Sequence, residues 1–116
     1  MKIFDTHTHL NAEQFKDDIP ETIARAHELG LSEMAAVGFD TPTIAKSLEL
    51  SQAYPEIYSI IGWHPTEAGS YTPAIEENLQ ELLTRNKVVA LGEIGLDYYW
   101  MEDPKDVQEK VFRRQI

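Results

Sequence analysis

Four short apolar runs set the rhythm of this chain: Ile3-Phe4, Met34-Ala35-Ala36-Val37, Tyr58-Ser59-Ile60-Ile61 and Val88-Val89-Ala90-Leu91. Runs this short and uninterrupted predict strands buried on both faces, the habit of parallel sheets. Helical patterns fill the gaps. The first is expected over roughly 20–29, after Asp17 to Pro20, and Gly30 supplies its left-handed stop. The second opens at Thr41-Pro42, carries Ile44, Leu48 and Leu50, and stops before Tyr54-Pro55, because the residue before Pro avoids helical geometry. The third opens at Thr72-Pro73 and shows Ile75, Leu79, Leu82 and Leu83 on one stripe; the fourth opens at Asp103-Pro104 with Val107, Val111 and Phe112. In these three starts a side-chain oxygen is placed to accept from orphan backbone N–H groups, and Pro at the first helical position loses no useful donor.

Strand and helix alternate, which implies right-handed crossovers and a parallel α/β sheet with functional residues at the carboxyl ends of the strands. A (β/α)8 barrel takes about 250 residues, so the four strands expected in these 116 residues amount to half of one. The last helix reaches Ile116 with no Gly, Asn or Pro to close it. The expectation is a TIM-type parallel (β/α) barrel represented by its first four strands, with 1–116 the N-terminal part of a single domain, either a half-barrel or a truncated chain.

Composition narrows the chemistry. With 42% hydrophobic and 26% charged residues the chain has material for a core. A formal charge of −10 disfavours nonspecific binding to nucleic-acid backbones or anionic lipid. The absence of Cys excludes disulfides, thiol catalysis and Cys-ligated zinc, leaving His and carboxylates as metal ligands and fitting a reducing cytoplasm. Met1 to Leu10 lacks the apolar core of a signal peptide, and no stretch approaches the roughly 20 apolar residues of a membrane span.

The first strand runs into Asp5-Thr6-His7-Thr8-His9. Side chains two apart on an extended chain point to the same side, so His7 and His9 can offer two imidazole nitrogens to one ion. The fourth strand is read as giving Val88-Val89-Ala90-Leu91-Gly92-Glu93-Ile94-Gly95-Leu96-Asp97, with Glu93 inside the apolar run, where a buried carboxylate needs a cation or hydrogen-bond donors. A divalent ion held jointly with His7 and His9 is the economical partner, Zn, Mn or similar. The glycines beside Glu93 form no G-x-G-x-x-G, so a dinucleotide site is rejected. His64, in Gly62-Trp63-His64-Pro65, falls on the same rim, with phosphate binding, proton transfer and metal ligation all open to it. Trp63, Tyr98, Tyr99 and Trp100 add flat surface that could stack bases or cap the barrel mouth, at least one of them expected in the core. His27 at a helix end is given no functional role, and Glu76, Glu77 and Glu81 are read as a solvated face.

Four segments in order, Asp5-Thr6-His7-Thr8-His9-Leu10, Gly62-Trp63-His64-Pro65, Gly92-Glu93-Ile94-Gly95-Leu96-Asp97-Tyr98-Tyr99 and Phe112-Arg113-Arg114-Gln115, resemble the successive signatures of TatD-type metal-dependent deoxyribonucleases, amidohydrolase-like barrels. The resemblance covers essentially the whole chain. It implies a hydrolase that cleaves phosphodiester bonds in DNA with two divalent ions (Mg, Mn and Zn not being distinguished), His7 and His9 matching ligands of one ion and Glu93 the carboxylate shared between two. His64 matches a position beside the substrate phosphate, which makes Glu93 and His64 the candidate catalytic residues. It also implies two further His and one Asp on later strands, so the chain alone is expected to be inactive.

Two other readings stay open. The H-x-H at the first strand also suits amidohydrolases acting on C–N or ester bonds. A noncatalytic half-barrel would instead self-associate through its exposed strand edges.

Overall fold

The computed structural model describes residues 1–116 and contains four parallel strands in the sheet order β1-β2-β3-β4, with β1 at Ile3–Thr8, β2 at Leu31–Gly38, β3 at Ile57–Ile61 and β4 at Val88–Leu91. The helices α1 (Ile19–Glu28), α2 (Thr41–Ala53) and α3 (Pro73–Leu82) join successive strands, and α4 (Lys105–Gln115) follows β4. The consecutive order is decisive. A doubly wound sheet reverses at a switch point, whereas strands laid down in chain order, each beside the last, generate a barrel wall. This is the first half of a TIM-type (β/α) barrel. Its Cα radius of gyration, 14.9 Å, exceeds the roughly 13 Å of a closed domain of this length.

Two apolar clusters glue the helices to the sheet. One joins Leu10, Ile19, Ile23, Met34, Ala36, Leu50 and Ile57; the other joins Ile44, Ile61, Trp63, Leu79 and Leu82. Each large side chain buried there contributes about 1.5–3 kcal/mol. Between α2 and the sheet, the buried Ser47 hydroxyl donates to the Ala36 carbonyl at 2.7 Å and meets Ser59 at 2.9 Å, so both of these hydroxyls are satisfied.

The outer strands depart from the expectation of two buried faces. The β2 residues Met34 to Val37 are buried, but Ile3 and Phe4 of β1 and Val89 of β4 are 39–54% exposed. Strands β1 and β4 are the edges of a four-stranded sheet, so each lacks a neighbour on one side.

Helix starts depart by one residue in two places. Asp40, not Thr41, caps α2: its side chain accepts the Thr43 N–H at 2.9 Å, Thr43 answers the Asp40 N–H at 3.1 Å, and Pro42 sits one residue deeper. This reciprocal box satisfies two orphan donors at once. At α4 the N-cap is Pro104, and the Asp103 carboxylate accepts the Gly69 N–H at 2.9 Å. Thr72 caps α3 through Ile75 N–H, as expected, and α1 gives way to Gly30 at φ 97°. No helix is long and apolar enough to cross a membrane.

Candidate metal centre

At the carboxyl ends of the strands, His7 lies on β1, His9 just beyond it, His64 three residues after β3 and Glu93 two residues after β4. His7 and His9 present their Nε2 atoms 3.3 Å apart. Glu93 Oε2 is 3.6 Å from His7 Nε2, and one donor atom from each of His7, His9 and Glu93 falls within 4.8 Å of the others. Ligands about 2.0–2.1 Å from a tetrahedral ion stand roughly 3.3 Å apart; two of the three separations are near this value and the third is wider, which groups the donors around one candidate cation position. Two imidazoles and a carboxylate also have the right chemistry, with no Lys or Arg among them to repel it.

Glu93 is less buried than its apolar neighbours suggest. Strand β4 ends at Leu91, and the Glu93 side chain is 36% exposed on the loop that follows. It borders an open concavity of about 320 Å³ lined with His7, Val37, Ile60 and Ala90. Solvent reaches the carboxylate.

His64 meets Glu93 from another side, with Nε2 3.7 Å from Oε1. Its Nδ1 accepts the Thr66 backbone N–H at 3.1 Å at the start of a short 3₁₀ helix, Pro65–Ser70. The same Nδ1 lies 2.7 Å from the Thr66 hydroxyl oxygen, so Thr66 holds this edge of the ring while Nε2 faces the carboxylate. His64 stands outside the three donors that lie within 4.8 Å of one another, so of the three roles open to it, ligation of that same ion is the one this geometry does not support.

Phe39, unremarked in the sequence, stands edge-on to both His9 and His64, with ring centroids 6.0 and 5.7 Å away. It follows Gly38 at the end of β2, the one strand end that carried no polar oddity. Trp63 is 5% exposed and belongs to the core, whereas Tyr99 and Trp100 are 83% and 69% exposed and pack edge-to-face on each other. His27 pairs with Glu56 at 3.4 Å at the opposite, amino-terminal end of the strands. The acidic face of α3 is not uniformly solvated: Glu76 forms an ion pair with Arg114 of α4 and accepts from the Tyr71 hydroxyl at 3.2 Å.

Fold and site together define a metal-hydrolase-like (β/α) half-barrel. The family profile described as TatD related DNase matches residues 4–116, and the chain belongs to that family. It is 48% identical over 114 residues to the metal-dependent hydrolase YabD of Bacillus subtilis, covering 98% of this chain and 45% of that protein. It is 32% identical to the 3'-5' ssDNA/RNA exonuclease TatD of Salmonella typhimurium, again over 98% of this chain and 44% of the relative. The crystal structure of YJJV, a TatD homologue from Escherichia coli, superposes with a TM-score of 0.87 at 30% identity, over 97% of this chain and 44% of that one. This chain thus spans less than half the length of the relatives it matches.

Proposed function

We propose that residues 1–116 form the N-terminal part of a single metal-dependent nuclease domain, that His7, His9 and Glu93 hold a divalent ion, and that the whole site cleaves phosphodiester bonds in DNA. The observation that carries this is the convergence of three donors from opposite edges of the sheet within 4.8 Å. When bound, such an ion supplies Lewis acidity that polarises a phosphodiester and acidifies a neighbouring water. Glu93, the carboxylate of the set, offsets the cation's charge, with His64 Nε2 3.7 Å from its other oxygen. His64 directs its Nε2–H toward the place a phosphate oxygen would occupy and can pass a proton to a leaving oxygen. A bound cation also relieves the conflict between a chain of net charge −10 and an anionic substrate. The exonuclease activity on single-stranded DNA and RNA named for the Salmonella relative supports a single-stranded end as substrate.

The test is metal content after equilibration with Zn²⁺ or Mn²⁺ and removal of the excess. Wild type is expected to retain one ion per chain and the His7→Ala/His9→Ala variant none. Equal content in both sinks the proposal.

The exposed edges β1 and β4 favour a second reading beside the first: alone, the chain associates with a second copy of itself, each edge taking the other's as its missing neighbour.

A further inference from the structure

Helix α4 carries two glutamines two helical turns apart, Gln108 and Gln115, and each is bonded to the backbone of a different rim segment. Gln115 Oε1 accepts the Trp63 N–H at 2.8 Å while its Nε2 donates to the Trp63 carbonyl at 3.1 Å. Gln108 repeats the arrangement one loop further on: Oε1 accepts the Asp97 N–H at 2.7 Å, and Nε2 donates to the carbonyls of Asp97 at 3.0 Å and Asp103 at 2.8 Å. A primary amide used in this way imitates a strand neighbour, supplying one donor and one acceptor to one residue.

Trp63 immediately precedes His64, and Asp97 closes the segment that begins at Gly92-Glu93. Gln108 is 1% exposed, where an unbonded amide would cost about 1–3 kcal/mol. Arg114, beside Gln115, binds the Glu76 carboxylate through both Nε and Nη2 and braces α4 against α3. The helix is therefore fixed at one side to α3 and at the other to two loops that hold facing side chains.

We infer that Gln115 is a positioning residue for His64, with Gln108 doing the same for the segment that bears Glu93: by gripping the Trp63 backbone, Gln115 sets the direction in which His64 Nε2 meets the Glu93 carboxylate. The part His64 then plays in hydrolysis rests on the function proposed above; the grip itself does not. This gives a task to the Gln of the Phe112-Arg113-Arg114-Gln115 segment.

The experiment uses the whole chain, ¹⁵N-labelled, and reads imidazole nitrogens and backbone amides by NMR. Gln115→Met keeps the length and volume of the side chain but removes both hydrogen-bonding groups. The expected result is loss of the hydrogen-bonded Nδ1 signature of His64 and a fall of at least about tenfold in exchange protection of the Trp63 amide, with the His27 ring unmoved. Gln115→Glu, which keeps the acceptor for Trp63 N–H, is expected to fall between this variant and wild type. If Gln115→Met leaves His64 as in wild type, the glutamine merely fills space and the inference is overturned. Equal displacement of His64 and His27 overturns it too, since that is general loosening. Should Gln115→Met fail to fold, Gln115→Glu decides, and an unchanged His64 ring in it sinks the idea. Failure of the chain to bind metal would leave these spectra untouched, so the grip and the nuclease reading fail separately.

Discussion

His7 in β1 and Glu93 just after β4 belong to the two opposite edges of the sheet, yet His7 Nε2 lies 3.6 Å from Glu93 Oε2. In a flat sheet, three strand spacings would hold their backbones roughly 14 Å apart, with side chains standing perpendicular to the sheet. They meet because the sheet curls and its inner face is concave, so inward-pointing side chains converge at the rim. Curvature, set by packing four strands against their helices, is what turns residues distant in sequence into one donor set.

Gly62 tests that dependence. A Cβ at this position would stand 2.7 Å from the Gly92 carbonyl carbon and 2.9 Å from the Ile94 side chain, which flank Glu93. Gly62→Ala is expected to push the end of β3 away from the β4 loop, destabilising the chain by about 1–3 kcal/mol through overpacking and weakening metal retention. Denaturant unfolding and metal analysis measure the two effects. A variant with wild-type stability and metal content would show that the close approach of these loops is dispensable.

The pH dependence of stability should carry the mark of the α3–α4 brace. Hydrogen bonding from Arg114 holds the Glu76 carboxyl below its ordinary range despite some burial, and the guanidinium charge and the Tyr71 hydroxyl add to the effect. A depressed carboxylate stabilises the fold above its unfolded pKa and loses that contribution as pH falls through the folded value. Glu76→Gln is therefore expected to be less stable than wild type at pH 7 and to converge with it in acid. Burial, then the charge and hydrogen bond of Glu76, push Tyr71 up to about 12. Here the sign reverses: a raised folded pKa stabilises fully below pH 10 or so and fades as pH climbs toward 12. Ultraviolet titration of wild type against Tyr71→Phe should reveal one tyrosine ionising late.

Cleavage should depend on more than this chain. Since it spans 44–45% of its relatives, it is expected to degrade single-stranded DNA negligibly by itself, with Mg²⁺, Mn²⁺ or Zn²⁺ present. Robust metal-dependent cleavage by the purified chain, lost in Glu93→Ala, would refute this. Where activity is restored by adding the second half of the barrel from a TatD-family relative, His64→Ala is expected to lower kcat by about 10²- to 10⁴-fold, the usual worth of a positioned proton donor.

The strand and helix order was legible because apolar runs and Pro or Gly punctuation are local signals. His7 and His9 could be grouped from spacing alone, since an extended chain puts alternate side chains together. Joining Glu93 to them required long-range chemistry, the need of a carboxylate in apolar surroundings for a partner. What stayed hidden depends on tertiary contact with no local trace. Gln108 and Gln115 look like ordinary helix residues until the loops they grip are folded beside them, and Phe39 has no feature to separate it from core. Asp103 resembled a helix cap because its neighbour is Pro, but the Gly69 N–H offers it a partner across the fold.

Self-association is the outcome expected of the unpaired edges. Strand β1 offers one row of backbone donors and acceptors and β4 another, and in a closed barrel a strand after β4 would occupy the place that β1 of a second copy can take. A twofold arrangement lets each copy satisfy both edges of the other. Exposed Phe4 (39%) and Val89 (54%) would be covered in the process. Light scattering is expected to give a mass rising with concentration toward twice 13.2 kDa, and Val89→Lys, which places a charge on the β4 edge, should return the monomer. A well-folded monomer of the wild-type chain at high micromolar concentration would count against edge pairing and leave each edge closed to a second copy.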